Sequence, residues 1–224
     1  IADEIVLALL ECAHRAPSGF NLQPWEFLVV RDAETRAQLQ RVCMDQRQVA
    51  EAPVTIVVLS DPLAWKRSYP EVVRESVRTG IWNAARAKRY QKLIALHFRT
   101  GPFGLFGFLK RVALPMMRLR RSFPDVVTSR HEAEEYVMRH TMLAVENLMI
   151  AAAGAGLDTC PMEGFDEWRL KRLLGIPAHL RVCLLVVLGK RAPGVNPVET
   201  YRAPLESRVS WDRYGARISS DVSI

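Results

Sequence analysis

Between residues 16 and 25 the chain reads Ala16-Pro17-Ser18-Gly19-Phe20-Asn21-Leu22-Gln23-Pro24-Trp25, a stretch that must stop one regular element and start another. Upstream, Ile5, Leu7, Leu9, Leu10, Cys12 and Ala13 recur at helical spacing. Pro17 lacks the amide proton a helix needs and Gly19 enters positive φ freely, so the helix ends there. Downstream, Phe27-Leu28-Val29-Val30 predicts a buried strand. A helix, a stiff polar loop and a strand in so short a span place two short polar side chains, Ser18 and Asn21, at the edge of a core. There they can donate hydrogen bonds to something planar and polar.

The pattern that follows mixes helices with separated strands. A polar helix is predicted near Ala33 to Val42 and a second strand over Val54 to Leu59. Residues 134 to 155 form a long helix, apolar on most sides and therefore expected to be central and buried. A short helix from Glu167 to about Leu174 has Asp166 as N-cap and Gly175 as C-cap, and Val182 to Leu188 is the third strong strand. Such an order predicts an α+β sheet sandwich. The tail from Arg191 to Ile224 carries Pro193, Pro197 and Pro204 with few apolar residues, so it cannot build its own core and must lie on another surface.

With 224 residues and 49% apolar content the chain can bury a full core, and it is read as one domain over 1–224 with an insertion at 62–130. Cys12, Cys43, Cys160 and Cys183 stand singly, with no C-x-x-C pair and no cysteine–histidine ligand spacing, which fits reduced thiols in a cytoplasmic protein and no metal site. His14, His97, His131, His140 and His179 are scattered, and no Walker or Gly-x-Gly-x-x-Gly pattern occurs. No apolar run is long enough to span a bilayer, and no signal peptide is visible. The chain opens at Ile1 rather than Met, as if the natural N-terminus were missing. The net charge of +7 is concentrated: residues 62 to 130 hold fifteen Lys or Arg against three Asp or Glu.

The ten residues from Ala16 to Trp25 meet every fixed position of Ala-Pro-Ser-x-x-Asn-x-Gln-Pro-Trp, and so resemble the signature of the nitroreductase family of FMN-dependent oxidoreductases. A second block, Gly156-Leu157-Asp158-Thr159-Cys160-Pro161-Met162-Glu163-Gly164-Phe165-Asp166, is similar to that family's flavin loop. The resemblance covers residues 1 to 60 and 132 to 212 and lapses between them. It implies a three-layer α/β/α sandwich around a mostly antiparallel sheet, a homodimer, and a C-terminal extension wrapping the partner subunit, with Arg208 to Trp211 pairing across the interface.

What it implies for the site is FMN held between subunits. Pro17, Ser18, Gly19 and Asn21 of one subunit would contact the ring and ribityl chain. Pro161, Met162, Glu163 and Gly164 of the other would lie against the ring, with Glu163 acting mainly through its backbone amide. Asp45 and Gln48 fall at the pyrimidine-contact positions, and Gln48 can both donate and accept. The family's phosphate-binding Arg-Arg-Ser-x-Arg segment before the first helix is not in this sequence, which leaves Arg202, then Lys190 and Arg191, as phosphate cations. The protein would position and tune while the cofactor carries the redox chemistry. NAD(P)H would reduce the flavin and depart, and a small-molecule acceptor would then take its place. Divergent members, the flavin-consuming benzimidazole synthases and reductive dehalogenases, are the alternatives within the family. A flavin-binding or membrane-associated protein without robust turnover is the alternative outside it.

On a helical wheel, residues 105 to 121 gather Leu105, Phe106, Phe108, Leu109, Val112, Ala113, Met116, Met117 and Leu119 on one half, and Lys110, Arg111, Arg118 and Arg121 on the other, with Pro115 as a kink. This predicts a lid whose apolar face covers the flavin pocket or the dimer, with a pocket for flat apolar acceptors such as nitroaromatics or quinones. Peripheral contact of residues 99–121 with an anionic membrane is the second reading, and a nucleic-acid partner is not expected.

Overall fold

The computed structural model describes residues 1–196 and 200–216, so Pro197 and the last residues of the tail lie outside the described part. Two compact units form, Ile1–Lys190 and Arg191–Ile224. The first opens with α1 (Asp3–His14), a 3-10 turn at Gly19–Asn21, β1 (Trp25–Val30), α2 (Ala33–Val42), α3 (Arg47–Glu51) and β2 (Val54–Ser60). The segment 62–130 holds α4 (Ala64–Arg67), α5 (Tyr69–Arg78), α6 (Ala84–Phe98) and α7 (Leu105–Arg118). Then come α8 (Arg130–Gly154), β3 (Asp158–Met162), α9 (Glu167–Leu174) and β4 (Arg181–Gly189).

The four strands form one sheet in the order β1-β2-β4-β3, with every neighbouring pair antiparallel. β2 is buried at every position because both of its faces are covered, which is why it reads as an unbroken apolar run. Val54, Ile56 and Val58 join Leu9 and Ala13 of α1 and Ala144 and Leu148 of α8 in one core. Val57 and Leu59, on the opposite face, join Leu39, Val49 and Leu170 from α2, α3 and α9 in another. Each fully buried leucine among these is worth about 2 kcal/mol of transfer free energy. The result is the α+β class and the three-layer α/β/α sandwich implied by the sequence.

Two expectations need correction. α8 starts at Arg130, because the Ser129 side chain accepts from the Glu132 amide and caps the helix. It buries one stripe, Ala133, Val137, Thr141, Ala144, Leu148 and Ala152, at helical spacing, while Leu143 and Ile150 are 44% and 62% exposed. The helix is therefore central on one side only. The block read as a flavin loop begins as an edge strand, β3, where Pro161 is tolerated because an edge leaves some amide positions unpaired.

The helix α7 presents its apolar residues outward: Phe108, Val112 and Met116 are 63%, 54% and 69% exposed. The side that packs carries Gly107 and Lys110. A Cβ on Gly107 would collide with the Thr128 carbonyl, and Lys110 Nζ donates to the carbonyls of His97 at 3.0 Å and Val127 at 2.6 Å. Arg111 pairs with Glu132, and Arg118 with Asp125.

The segment 62–130 otherwise gathers a small core of Tyr69, Val73, Ala87, Ile94 and Phe98, into which Leu22 and Ala133 also pack. In the second unit, by contrast, none of the described residues is buried. It contains a 3-10 turn at Leu205–Ser207 and a turn closed by the Trp211 amide on the Ala216 carbonyl at 2.8 Å.

Candidate functional site

The loop from Pro17 to Pro24 is fixed from within. The Ser18 hydroxyl oxygen accepts from the Gln23 amide at 2.9 Å, and the Asn21 amide donates to the Ser18 carbonyl at 2.9 Å. Trp25 anchors the exit, buried, with Nε1 donating to His14 Nδ1 at 3.1 Å, and the Asp61 amide donates to the Pro24 carbonyl at 2.7 Å. Pro17 and Asn21 are exposed, and Ser18 and Gly19 half-buried.

Behind the loop stands a column of rings. Tyr136 lies 4.6 Å from His140, 5.3 Å from His97 and 5.0 Å from Phe98 between ring centroids. Gly19 is pressed against this column: a Cβ there would overlap the Tyr136 hydroxyl and approach His140 Nε2 to 2.9 Å. Burial, with a lesser contribution from Lys110, pushes His97 down to about 4, and burial followed by Arg139 lowers His140. Burial raises Tyr136. The backing wall of the loop is therefore uncharged at neutral pH.

A second strip forms on the other edge of the sheet. Gln46 Nε2 donates to the carbonyls of Gly164 at 2.9 Å and Cys43 at 3.0 Å, and the Asp166 amide donates to the Val42 carbonyl at 3.0 Å. This brings Asp45 and Gln48 into one neighbourhood with Pro161, Glu163 and Gly164, all exposed. Met162 is buried at 5% among Leu170 and Leu185, so its side chain is committed to the core and only its backbone faces outward. A Cβ on Gly164 would come within 2.7 Å of Gln46 Nε2.

The two strips lie beside opposite edge strands, β1 and β3, separated by three strand spacings or roughly 14 Å. Yet they share a backbone property. Of the seven described non-glycine residues with positive φ, five are Phe20, Asn21, Gln23, Met44 and Asp45. Each costs about 1 kcal/mol, and such strain gathers where a backbone is held for a ligand.

Lys190 follows β4 and is exposed, about 13 Å along the strand from Val186, the partner of Pro161. Arg191 and Arg202 belong to the second unit, where Arg202 Nη1 donates to Thr200 Oγ1 at 3.1 Å and to the Tyr201 carbonyl at 3.2 Å. Among the described residues no cluster of His, Cys, Asp or Glu could hold a metal ion, and all four cysteines are free. Sequence reasoning missed Gln46, Tyr136 and His140. The last two stand one turn apart on α8, a spacing that was visible, but nothing local tied them to Gly19.

The donor set suits a polar planar ligand better than acid–base chemistry: one hydroxyl, two carboxamides, exposed backbone, and two glycines where a side chain would block close approach. The fold is that of an α+β protein with helices on both faces of an antiparallel sheet. The chain belongs to the Nitroreductase family, whose profile matches residues 1–190. It is 29% identical over 214 residues to a protein named NADH dehydrogenase from Thermus thermophilus, covering 94% of this chain and 86% of that one. To Protein DrgA of Synechocystis it is 30% identical over 189 residues, 83% of this chain and 74% of the relative. A solved structure from Exiguobacterium sibiricum, in complex with FMN, superposes with a TM-score of 0.69 at 22% identity, covering 94% of this chain and 87% of that one.

Proposed function

We propose that this chain is an FMN-dependent oxidoreductase that uses NAD(P)H to reduce flat apolar acceptors such as nitroaromatics or quinones, by a ping-pong mechanism in one pocket. The observation that carries the reading is the stiff loop at Pro17, Ser18, Gly19 and Asn21, strained in backbone and pressed at Gly19 onto an uncharged wall of rings. When bound, FMN would accept hydride from the nicotinamide and return two electrons to the acceptor.

The protein's own residues bind and orient. Ser18 uses an oxygen lone pair on Gln23 and keeps its hydroxyl proton free to donate, and the Asn21 carboxamide stands exposed beside it. Gln46 holds the Gly164 turn, so that the backbone of Pro161, Met162, Glu163 and Gly164 presents one edge, with Asp45 and Gln48 next to it. Lys190, Arg191 and Arg202 are the cations proposed for the phosphate.

Because the two strips flank opposite edges of one sheet, the reading includes a homodimer in which the loop of one protomer meets the strip of its partner, with the tail from Arg191 wrapping that partner. The outward face of α7, through Phe108, Val112 and Met116, would then cover the partner's pocket and exclude water from it. A second reading, docking of residues 99–121 on an anionic membrane, draws on the same exposed apolar face together with the exposed Arg120 and Arg121 that follow the helix. Its test is co-sedimentation with anionic vesicles that disappears in high salt.

The main test is an absorbance spectrum of the purified protein followed by anaerobic titration with NADPH. A flavin band that bleaches and returns on adding a quinone or nitroaromatic is the expected result. Absence of flavin after incubation with FMN overturns the reading, and a bound flavin that neither NADPH nor NADH reduces leaves a binding protein.

A further inference from the structure

A cleft of about 730 Å³ opens between the segment that leaves β2, the end of α6 and the start of α8. None of its lining residues belongs to the loop from Pro17 to Pro24 or to the strip at Asp45, Gln48 and Gly164. One wall is apolar: Trp65 and Phe98 stack with centroids 6.0 Å apart and planes at 15°, beside Pro62 and Leu63. Around it stand Lys66, Arg99, Arg130 and His179, and none of the lining residues is acidic.

The carboxylates nearby are already committed. Asp61 is buried, accepting from the Leu63 amide and pairing with Arg67, and Glu134 pairs with Arg130 and Arg181. Lys66 instead lies over the Trp65 ring, 4.9 Å from its centroid, and Arg99 extends from the end of α6. Among the described residues neither has a carboxylate partner. The cleft also meets the N-terminus of α8, a 25-residue helix whose dipole adds positive potential there. The chain from Ser76 to Pro124 contributes no carboxylate to offset it, and Glu132 in the first turn of α8 is paired with Arg111. A concave site with one sign of charge and a low-dielectric wall concentrates the opposite charge, and its volume is that of a small-molecule site.

We propose that this cleft binds a small amphipathic anion, a flat aromatic or short acyl body carrying a carboxylate or a phosphate monoester. The apolar body lies along Trp65, which Phe98 backs, and the anionic oxygens meet Lys66 and Arg99. This site is separate from both strips of the proposed flavin site and does not rest on that reading.

The test is calorimetric titration of the FMN-loaded protein with 2-naphthoate, with 2-naphthyl phosphate and with neutral 2-naphthamide, alongside the Lys66→Ala/Arg99→Ala double variant. Both substitutions are at exposed positions, so the variant should melt within a few degrees of the parent. The expected result is saturable one-to-one binding of at least one anion, at least tenfold tighter than the amide and weakened at least tenfold in the double variant. A preference between carboxylate and phosphate assigns the anionic group. Equal binding of anion and amide, unchanged affinity in the double variant, no saturable binding of either anion, or release of FMN by the anion would each overturn the proposal.

Discussion

The amide of Gly19 donates to Nδ1 of His140 across 3.5 Å, a long bond that joins two residues 121 positions apart. It requires a neutral His140 with its proton on Nε2. Tyr136 crowds the same glycine from one turn earlier on α8, so the loop is held by a hydrogen bond and a steric stop together.

Replacing Gly19 by alanine should force the Tyr136 ring out of its contacts with His97, Phe98 and His140. Overpacking of this kind costs about 1–3 kcal/mol. Urea melts should show that loss, together with weaker retention of FMN. The companion change Tyr136→Phe removes the hydroxyl that the new methyl would meet and should recover part of both. A Gly19→Ala protein as stable as the parent would mean that the ring moves freely and the stop is not one.

Acid should destabilise the fold through His97. Its ring lies among Phe20, Phe98 and Tyr136 with Nε2 buried and unpartnered, and Lys110 bonds its own carbonyl. Burial first, then Lys110, depresses its folded pKa from 6.5 to about 4. The unfolded chain therefore binds the proton more readily. The stability from a neutral His97 is full above pH 6.5 and is lost progressively as pH falls toward 4. The whole effect is at most of order 3 kcal/mol. Thermal melts between pH 7.5 and about 4 should show this fall, and His97→Phe should flatten it. His140, lowered in the same direction, leaves a residual slope.

Lys110 is the fastener of the segment 62–130. Its ammonium bonds two carbonyls, one in the last turn of α6 and one in the segment before α8, while burial depresses its pKa to about 8 against the opposing pull of Glu132. Lys110→Met keeps the stem and removes this donor from both carbonyls: the His97 carbonyl still accepts from the Val127 amide at 3.1 Å, whereas the Val127 carbonyl is left without its donor, at about 1–3 kcal/mol if water does not replace it. Hydrogen exchange should quicken in α6 and α7 while β2 and β4 stay protected. Uniform loss of protection would mean that this segment and the sheet unfold as one.

Much of the sheet was legible because its central strands are buried on both faces and its helices are capped by Asp32, Asp166 and Gly175 in ways that local chemistry announces. β3 was hidden by Pro161, which reads as a breaker until an edge position is known. The inward face of α7 was hidden for another reason. A wheel ranks faces by hydropathy, but this helix is seated by the absent side chain of Gly107 and the long stem of Lys110, which reach carbonyls of residues 97, 127 and 128. The candidate site was legible as two motifs, whereas their placement beside opposite strands follows from a strand order that only long-range pairing decides.

Gln46 gives the sharpest test of the second strip, since the sequence marks Asp45 and Gln48 on either side of it and the structure uses Gln46 instead to hold the Gly164 turn. Its carboxamide spans the Cys43 and Gly164 carbonyls, so Gln46→Ala removes two hydrogen bonds from a region where Met44 and Asp45 already carry positive φ. At about 1 kcal/mol net per bond, the turn should loosen while the cores around Leu148 and Leu170 stay packed. FMN affinity should therefore fall about tenfold, with only a small change in melting temperature for the flavin-free protein. Gln48→Ala, which breaks no contact between segments, should weaken FMN binding only if its own carboxamide touches the ligand. A drop in both variants places the ligand on this strip. A drop in Gln46→Ala alone makes the strip a support for the Gly164 turn. Unchanged affinity in both would move the flavin away from Asp45 and Gln48 altogether.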